Sequence, residues 1–230
     1  MGRPQAYLAR LLSVVLNVPT EAADAPSAER CPGAASWIRD HTTLSAATQL
    51  EPGSKATMSD PKLFNELKNR VENDQAARKK WLANPGDGRL GRAVDAIDAE
   101  NLVWLRNLIA MNGFPLAAQV GKEGVHLAWV FLQHADQNPK LQSDLLPVLE
   151  QRYSAGELPA NDLARITDRV LMASGKPQQY GTQFDWFAGD FELPEPGRLA
   201  EIDTRRSQLG LMPLTDYVCT MRAARESTKQ

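Results

Sequence analysis

The chain has little that would impose a fold from outside. It has only two cysteines among 230 residues, so neither a disulfide framework nor a thiolate zinc site organises it. A chain of this length buries roughly 70% of its unfolded surface and needs no such staple. No run of eighteen apolar residues occurs, which excludes a spanning helix. Charge of one sign is also missing: 26 Lys and Arg face 28 Asp and Glu, which argues against a protein held on nucleic acid through phosphates. A glycine-rich phosphate loop, a Gly-x-Ser-x-Gly elbow, a His-Glu-x-x-His pair, a Cys-x-x-Cys pair and internal repeats are all absent, so the common motif enzymes are disfavoured. What remains is 43% hydrophobic and 23% charged, the composition of an ordinary globular chain of one domain.

Residues 1–30 read either as a secretory signal or as a disordered start. Arg3 and Arg10 precede the apolar run Leu11 to Leu16, and Ala23-Asp24-Ala25 resembles a cleavage site, but the run is short and Asn17, Pro19 and Glu21 interrupt it. Cys31 and Cys219 would close one long loop in an oxidising compartment and would be two small buried hydrophobes in the cytosol. The expected location is cytoplasmic, with periplasmic or secreted as the alternative. Residues 31–60 form a short helix, about Ala34 to Leu44, and a linker from Thr48 to Asp60 rich in Pro, Gly, Ser and Thr.

Residues 61–225 read as a single helical domain. Helices are predicted over about 60–83, 95–111, 123–135, 139–154, 159–174, 198–209 and 213–225, from apolar residues at helical spacing. Ser59 or Asp60 with Pro61 marks a start, Gly113, Gly156 and Gly175 mark stops, and Pro147 is expected to kink or divide its helix. Gln179 to Phe187 alternates aromatic and polar residues and predicts a small β-hairpin near 179–193. The fold class is therefore mainly α, a compact domain of about five to seven helices with one hairpin.

Chemistry concentrates where polar residues interrupt apolar helices. Leu127 to Leu132 is apolar all round, so Gln133 and His134 at its end must find partners or border a cavity. His134 is the candidate general acid or base, and Asp136 could orient it; the competing reading makes His134 a helix cap. Arg70, Asp74 and Arg78 step by four along one helix and are expected to form exposed ion pairs, as are Arg165, Asp168 and Arg169, and Arg205 and Arg206. Gln178 to Gln183 surrounds Gly181 with hydrogen-bonding side chains that could grip a ligand or lock the segment to the helices. His126 and His134, eight apart, make poor joint metal ligands. A metal would need carboxylates from other helices, and no spacing asks for one.

Together these segments resemble a bacterial family of uncharacterised domains. They stand here as Arg70-x-x-x-Asp74-Gln75-x-x-Arg78, Asn101, Gly113-Phe114-Pro115, Val120-Gly121, Gln133-His134-Ala135-Asp136, Gln142, Asp168-Arg169, Gln178-x-Tyr180-Gly181-Thr182-Gln183 and Arg205-Arg206, from Leu63 to Tyr217. The chain departs from the family in its N-terminal extension and in Phe114, where Trp is frequent. The resemblance implies shared positions and no activity. The expectation is a cleft binding a small polar or anionic ligand, with His134 and Asp136 catalytic and Asp74, Gln75, Gln133, Asp168, Arg169, Gln179, Tyr180, Gln183 and Arg206 as binding residues. No cofactor or metal is indicated. The alternative is a non-catalytic interaction module in which the same residues are internal struts.

Overall fold

The computed structural model describes residues 30–48, 58–184 and 193–227. They form eight helices and no strand: α1 Pro32–Thr48, α2 Pro61–Ala83, α3 Gly88–Asn112, α4 Ala117–Gln133, α5 Pro139–Ser154, α6 Ala160–Ala173, α7 Pro196–Gln208 and α8 Leu214–Ser227. Residues 1–29 of the expected N-terminal segment 1–30, most of the linker and residues 185–192 lie outside the described part.

Local chemistry sets most boundaries. Asp60 caps α2 by accepting the Leu63 N–H at 3.0 Å, with Pro61 in the first turn. Asn138 does the same for α5, which runs undivided through Pro147. Gly113, Gly156 and Gly175 follow helices with φ of 74°, 68° and 69°, the left-handed region favoured in C-terminal stops. α3 begins seven residues earlier than its apolar spacing predicts, because Asp87 accepts the Arg89 N–H and caps a first turn that contains Gly88 and Gly91.

The predicted hairpin is a correction. Residues 179–184 run as irregular backbone, because the N–H groups of Gln179, Tyr180 and Thr182 all point to the carboxylate of Asp168. Donors spent on one buried side chain cannot serve a strand ladder.

α4 is the centre of the larger core. Leu127 to Leu132 are all buried, packed against Leu67 of α2, Leu105 of α3, Leu149 of α5 and Ile166 of α6. A second core joins Cys31, Ala34, Trp81, Ile202, Tyr217, Val218 and Met221. Cys31 and Cys219, 188 residues apart, are disulfide-bonded, so the oxidised alternative applies and α1 is tied to α8.

Removing that bond by Cys31→Ser with Cys219→Ser frees a long loop in the unfolded chain and should cost about 4 to 5 kcal/mol. The expected drop in melting temperature is roughly 10 °C, read by calorimetry on the variant and on the reduced parent. Equal melting of oxidised and reduced protein would refute it.

Candidate functional site

The helices α2 and α3 bring two carboxylates to the C-terminal end of α4. Asp74 and Arg78 share one face of α2, four residues apart, and Asp98 arrives from α3. Asp74 and Arg78 are both buried, which corrects the expectation of an exposed ladder of ion pairs. Arg78 Nε donates to Asp74 Oδ1 and Oδ2 at 3.1 and 3.2 Å, and its terminal nitrogen pairs with Asp98. Gln75 Nε2 donates to Asp74 Oδ2 at 2.7 Å. His134 Nδ1 lies 3.3 Å from the same oxygen, with the His134 and Asp74 side chains only 4% and 1% exposed.

Desolvation makes these pairings obligatory, since a buried charge without a partner is far costlier than a buried pair. It also separates the two carboxyls. Burial pushes Asp98 up to about 6, and the adjacent Asp74 charge adds to that against the pull of Arg78 and His134. Burial acts upward on Asp74 too, but hydrogen bonding to His134 and the charges of His134 and Arg78 reverse it and hold Asp74 well below the usual carboxylate range.

Asp74, Asp98 and His134 each offer a ligand atom, and these atoms lie within 4.8 Å of one another. Carboxylates from other helices thus reach His134, as a metal would require. Arg78 already brings a positive charge to both of them, and a cation entering there would have to compete with it.

His134 is the C-cap residue of α4, its backbone N–H donating to Val130 O at 3.1 Å, and a second residue serves the last carbonyls. Gln142 Nε2 donates to the terminal carbonyls of Leu132 and Gln133 at 3.0 and 3.3 Å. Asp136, half-buried, accepts from Arg169, which is buried rather than exposed. Gln133 is wholly enclosed, and neither of its amide atoms has a hydrogen-bond partner among the described residues.

The remaining predicted residues gather around Asp168. Its carboxylate accepts the N–H groups of Gln179, Tyr180 and Thr182 at 2.7, 3.0 and 2.8 Å and the Thr182 hydroxyl at 2.8 Å. Gln183 Nε2 donates to Arg165 O at 3.1 Å. Arg206 is fully buried; it donates to Met212 O at 2.6 Å and Tyr180 O at 2.7 Å and lies over the Tyr217 ring. Gly181 takes φ 67°, and a Cβ there would come within 2.9 Å of Leu214, so the loop sits hard against α8. Arg165, Asp168 and Arg206 are therefore buried struts where exposed ion pairs were expected. The Asp136–Arg169 pair links this group to the chain just after His134.

Sequence reasoning did not single out Asp98 as a site residue. It also passed over His126, whose Nδ1 lies 2.6 Å from Asp162 Oδ2 and whose ring stacks on Trp129; no local signal pairs residues 36 apart.

Residues 61–227 match a family of unknown function (DUF6624), nearly the stretch on which the resemblance rested. No curated protein and no solved structure matches the chain.

Two outcomes test the electrostatics. Asp98 binds its proton more tightly folded than unfolded, so its contribution to stability falls as pH rises from about 4 to about 6 and stays lost above that. Asp74 behaves oppositely, its contribution fading only as acid protonates it. Asp98→Asn should therefore gain stability relative to the parent between about pH 4 and pH 8, by roughly 2–3 kcal/mol; urea unfolding at both values reads it, and a pH-independent difference refutes it. Asp168→Asn places an amide donor against backbone donors and should destabilise by about 2–4 kcal/mol, seen as a lower melting temperature.

Proposed function

We propose, for a chain that belongs to that family of unknown function, that the domain binds a small polar or anionic ligand beside Asp74, Asp98 and His134 and carries out hydrolase-type acid–base chemistry on it. One observation carries this reading: two carboxyls in contact with one guanidinium and one imidazole have proton affinities driven in opposite directions. Paired titratable groups pushed apart by their surroundings are the usual basis of an acid and a base in one site.

In this reading Asp98, the most open of the three with its side chain 18% exposed, carries the exchangeable proton up to about pH 6 and donates it to a leaving group. Asp74 stays ionised. It faces Nδ1 of His134, favouring the tautomer with its proton there and the basic lone pair on Nε2. Arg78 and Gln75 hold Asp74 in place, and Gln133, the residue before His134, retains unspent bonding capacity. Asp136 and Arg169 act by positioning the turn that follows His134.

For Asp168, Gln179, Tyr180, Gln183 and Arg206 a structural role is better supported than ligand contact, since their bonds run to backbone groups or to one another. The Cys31–Cys219 disulfide favours the periplasmic or secreted alternative, because such bonds persist in oxidising compartments.

A thermal-shift screen against phosphate monoesters, carboxylic esters and glycosides should find compounds that stabilise the parent and not His134→Asn. Any turnover should decline as pH rises through about 6, and Asp98→Asn should abolish that limb along with most of the rate, about 10²-fold or more. Ligand stabilisation and pH profile unchanged in both variants would leave only the non-catalytic module.

A further inference from the structure

A groove of about 540 Å³ runs between α2 and α3, lined by Lys62, Asn65, Glu66, Asn69, Arg70, Asn73, Ile97, Glu100 and Asn101. Its size falls within the range of roughly 300–1,000 Å³ common to small-molecule sites. Asn65, Asn69 and Asn73 stand at four-residue steps and form an exposed ladder of amides along one helical face.

The charges of the wall balance, Lys62 and Arg70 against Glu66 and Glu100. Arg70 pairs with Glu66 at 3.1 Å and Glu100 at 3.2 Å, and its guanidinium lies over the Trp104 ring, 4.8 Å from the centroid. Arg70 also donates to Asn101 Oδ1 at 3.3 Å. Asn101 is 5% exposed, and its Nδ2 has no hydrogen-bond partner among the described residues. A buried donor left unmatched in a groove wall points to a group that arrives from outside.

These features select the ligand. An anion would need surplus positive charge, a cation the reverse, and an apolar ligand more than Ile97. Four amides, each both donor and acceptor, complement hydroxyl groups, which are also both. We infer that this groove binds a neutral, hydroxyl-rich ligand, a saccharide, through Asn65, Asn69, Asn73 and Asn101, with Arg70 as a fixed strut. Its inner end reaches Asn73 and Ile97, the neighbours of Asp74 and Asp98 in sequence. The inference rests on the acid–base reading only for what happens to the ligand, not for its binding.

The test follows side-chain amide resonances by NMR while cellohexaose, chitohexaose, maltohexaose and trehalose are titrated in turn, with inorganic phosphate as the contrast. At least one saccharide should shift the Asn65, Asn69, Asn73 and Asn101 amides saturably, and phosphate should not. Asn69→Ala and Asn73→Ala should each weaken binding roughly fivefold, by one hydrogen bond; alanine favours the exposed helix, so unfolding would not explain the loss. The inference is overturned if no saccharide binds, if both variants bind like the parent, or if phosphate moves the same amides. Saccharide bound but never turned over, by parent or Asp98→Asn, would defeat the acid–base reading and leave the groove standing. Turnover of another ligand without saccharide binding would defeat the groove alone.

Discussion

The enclosure of α4 governs the rest of the molecule. A helix that is apolar on every side from Leu127 to Leu132 has no face to offer water, so α2, α3, α5 and α6 must cover it. Whatever ends that helix is then desolvated as well. Its terminal carbonyls need a donor, which Gln142 supplies from α5, and its imidazole needs a polar neighbour, which Asp74 supplies from α2. One buried carboxylate calls for a cation, and Arg78 answers from the next turn while reaching Asp98 on α3. The polar cluster is thus a consequence of hydrophobic packing carried to the end of a helix.

The same logic organises the second polar centre. Asp168 lies on the buried side of α6, where no water can solvate it, and the chain after α6 bends so that the N–H groups of Gln179, Tyr180 and Thr182 fill its oxygens. Such bonds between a charged acceptor and backbone donors are among the stronger ones available. Arg206 then takes the Tyr180 carbonyl from the other side. The two centres differ in kind. Around Asp168 the carboxylate oxygens are filled by neutral donors, whereas Asp74 faces an imidazole and shares a guanidinium with a second carboxyl, and only the latter arrangement has protons to exchange.

Much of this was legible in the amino-acid order. Pro61, Gly113, Gly156 and Gly175 delimit helices where cap chemistry says they should, because capping is local. His134 could be named as a residue of interest because a polar group in apolar company is visible without a fold, whereas Asp74 and Gln75, in a polar stretch, stood out only through the family resemblance. What sequence could not supply was the partner. The four-residue step from Asp74 to Arg78 is the same whether the pair faces water or the core, and only the α3 contact decides which. The alternation in Gln179 to Phe184 likewise has the look of a strand, and a single buried acid eleven residues upstream of Gln179 overrides it. Tertiary hydrogen bonding outweighs a short local pattern of that kind.

The family match begins at residue 61, yet the second core is not complete without what precedes it. Cys31 and Ala34 are buried against the face of α8 that carries Tyr217, Val218 and Met221. The approach is close enough that a Cβ on Gly33 would fall 2.2 Å from Asp216 Oδ1, so a larger residue there would have to push the Asp216 side chain aside. A disulfide beside such a contact fixes a geometry that packing has already chosen. The neighbouring Leu214 in turn presses on Gly181, so α1 reaches the Asp168 loop through α8, and from there, by the Asp136–Arg169 pair, the turn that follows His134. The extension outside the family boundary is in this way mechanically continuous with the site inside it.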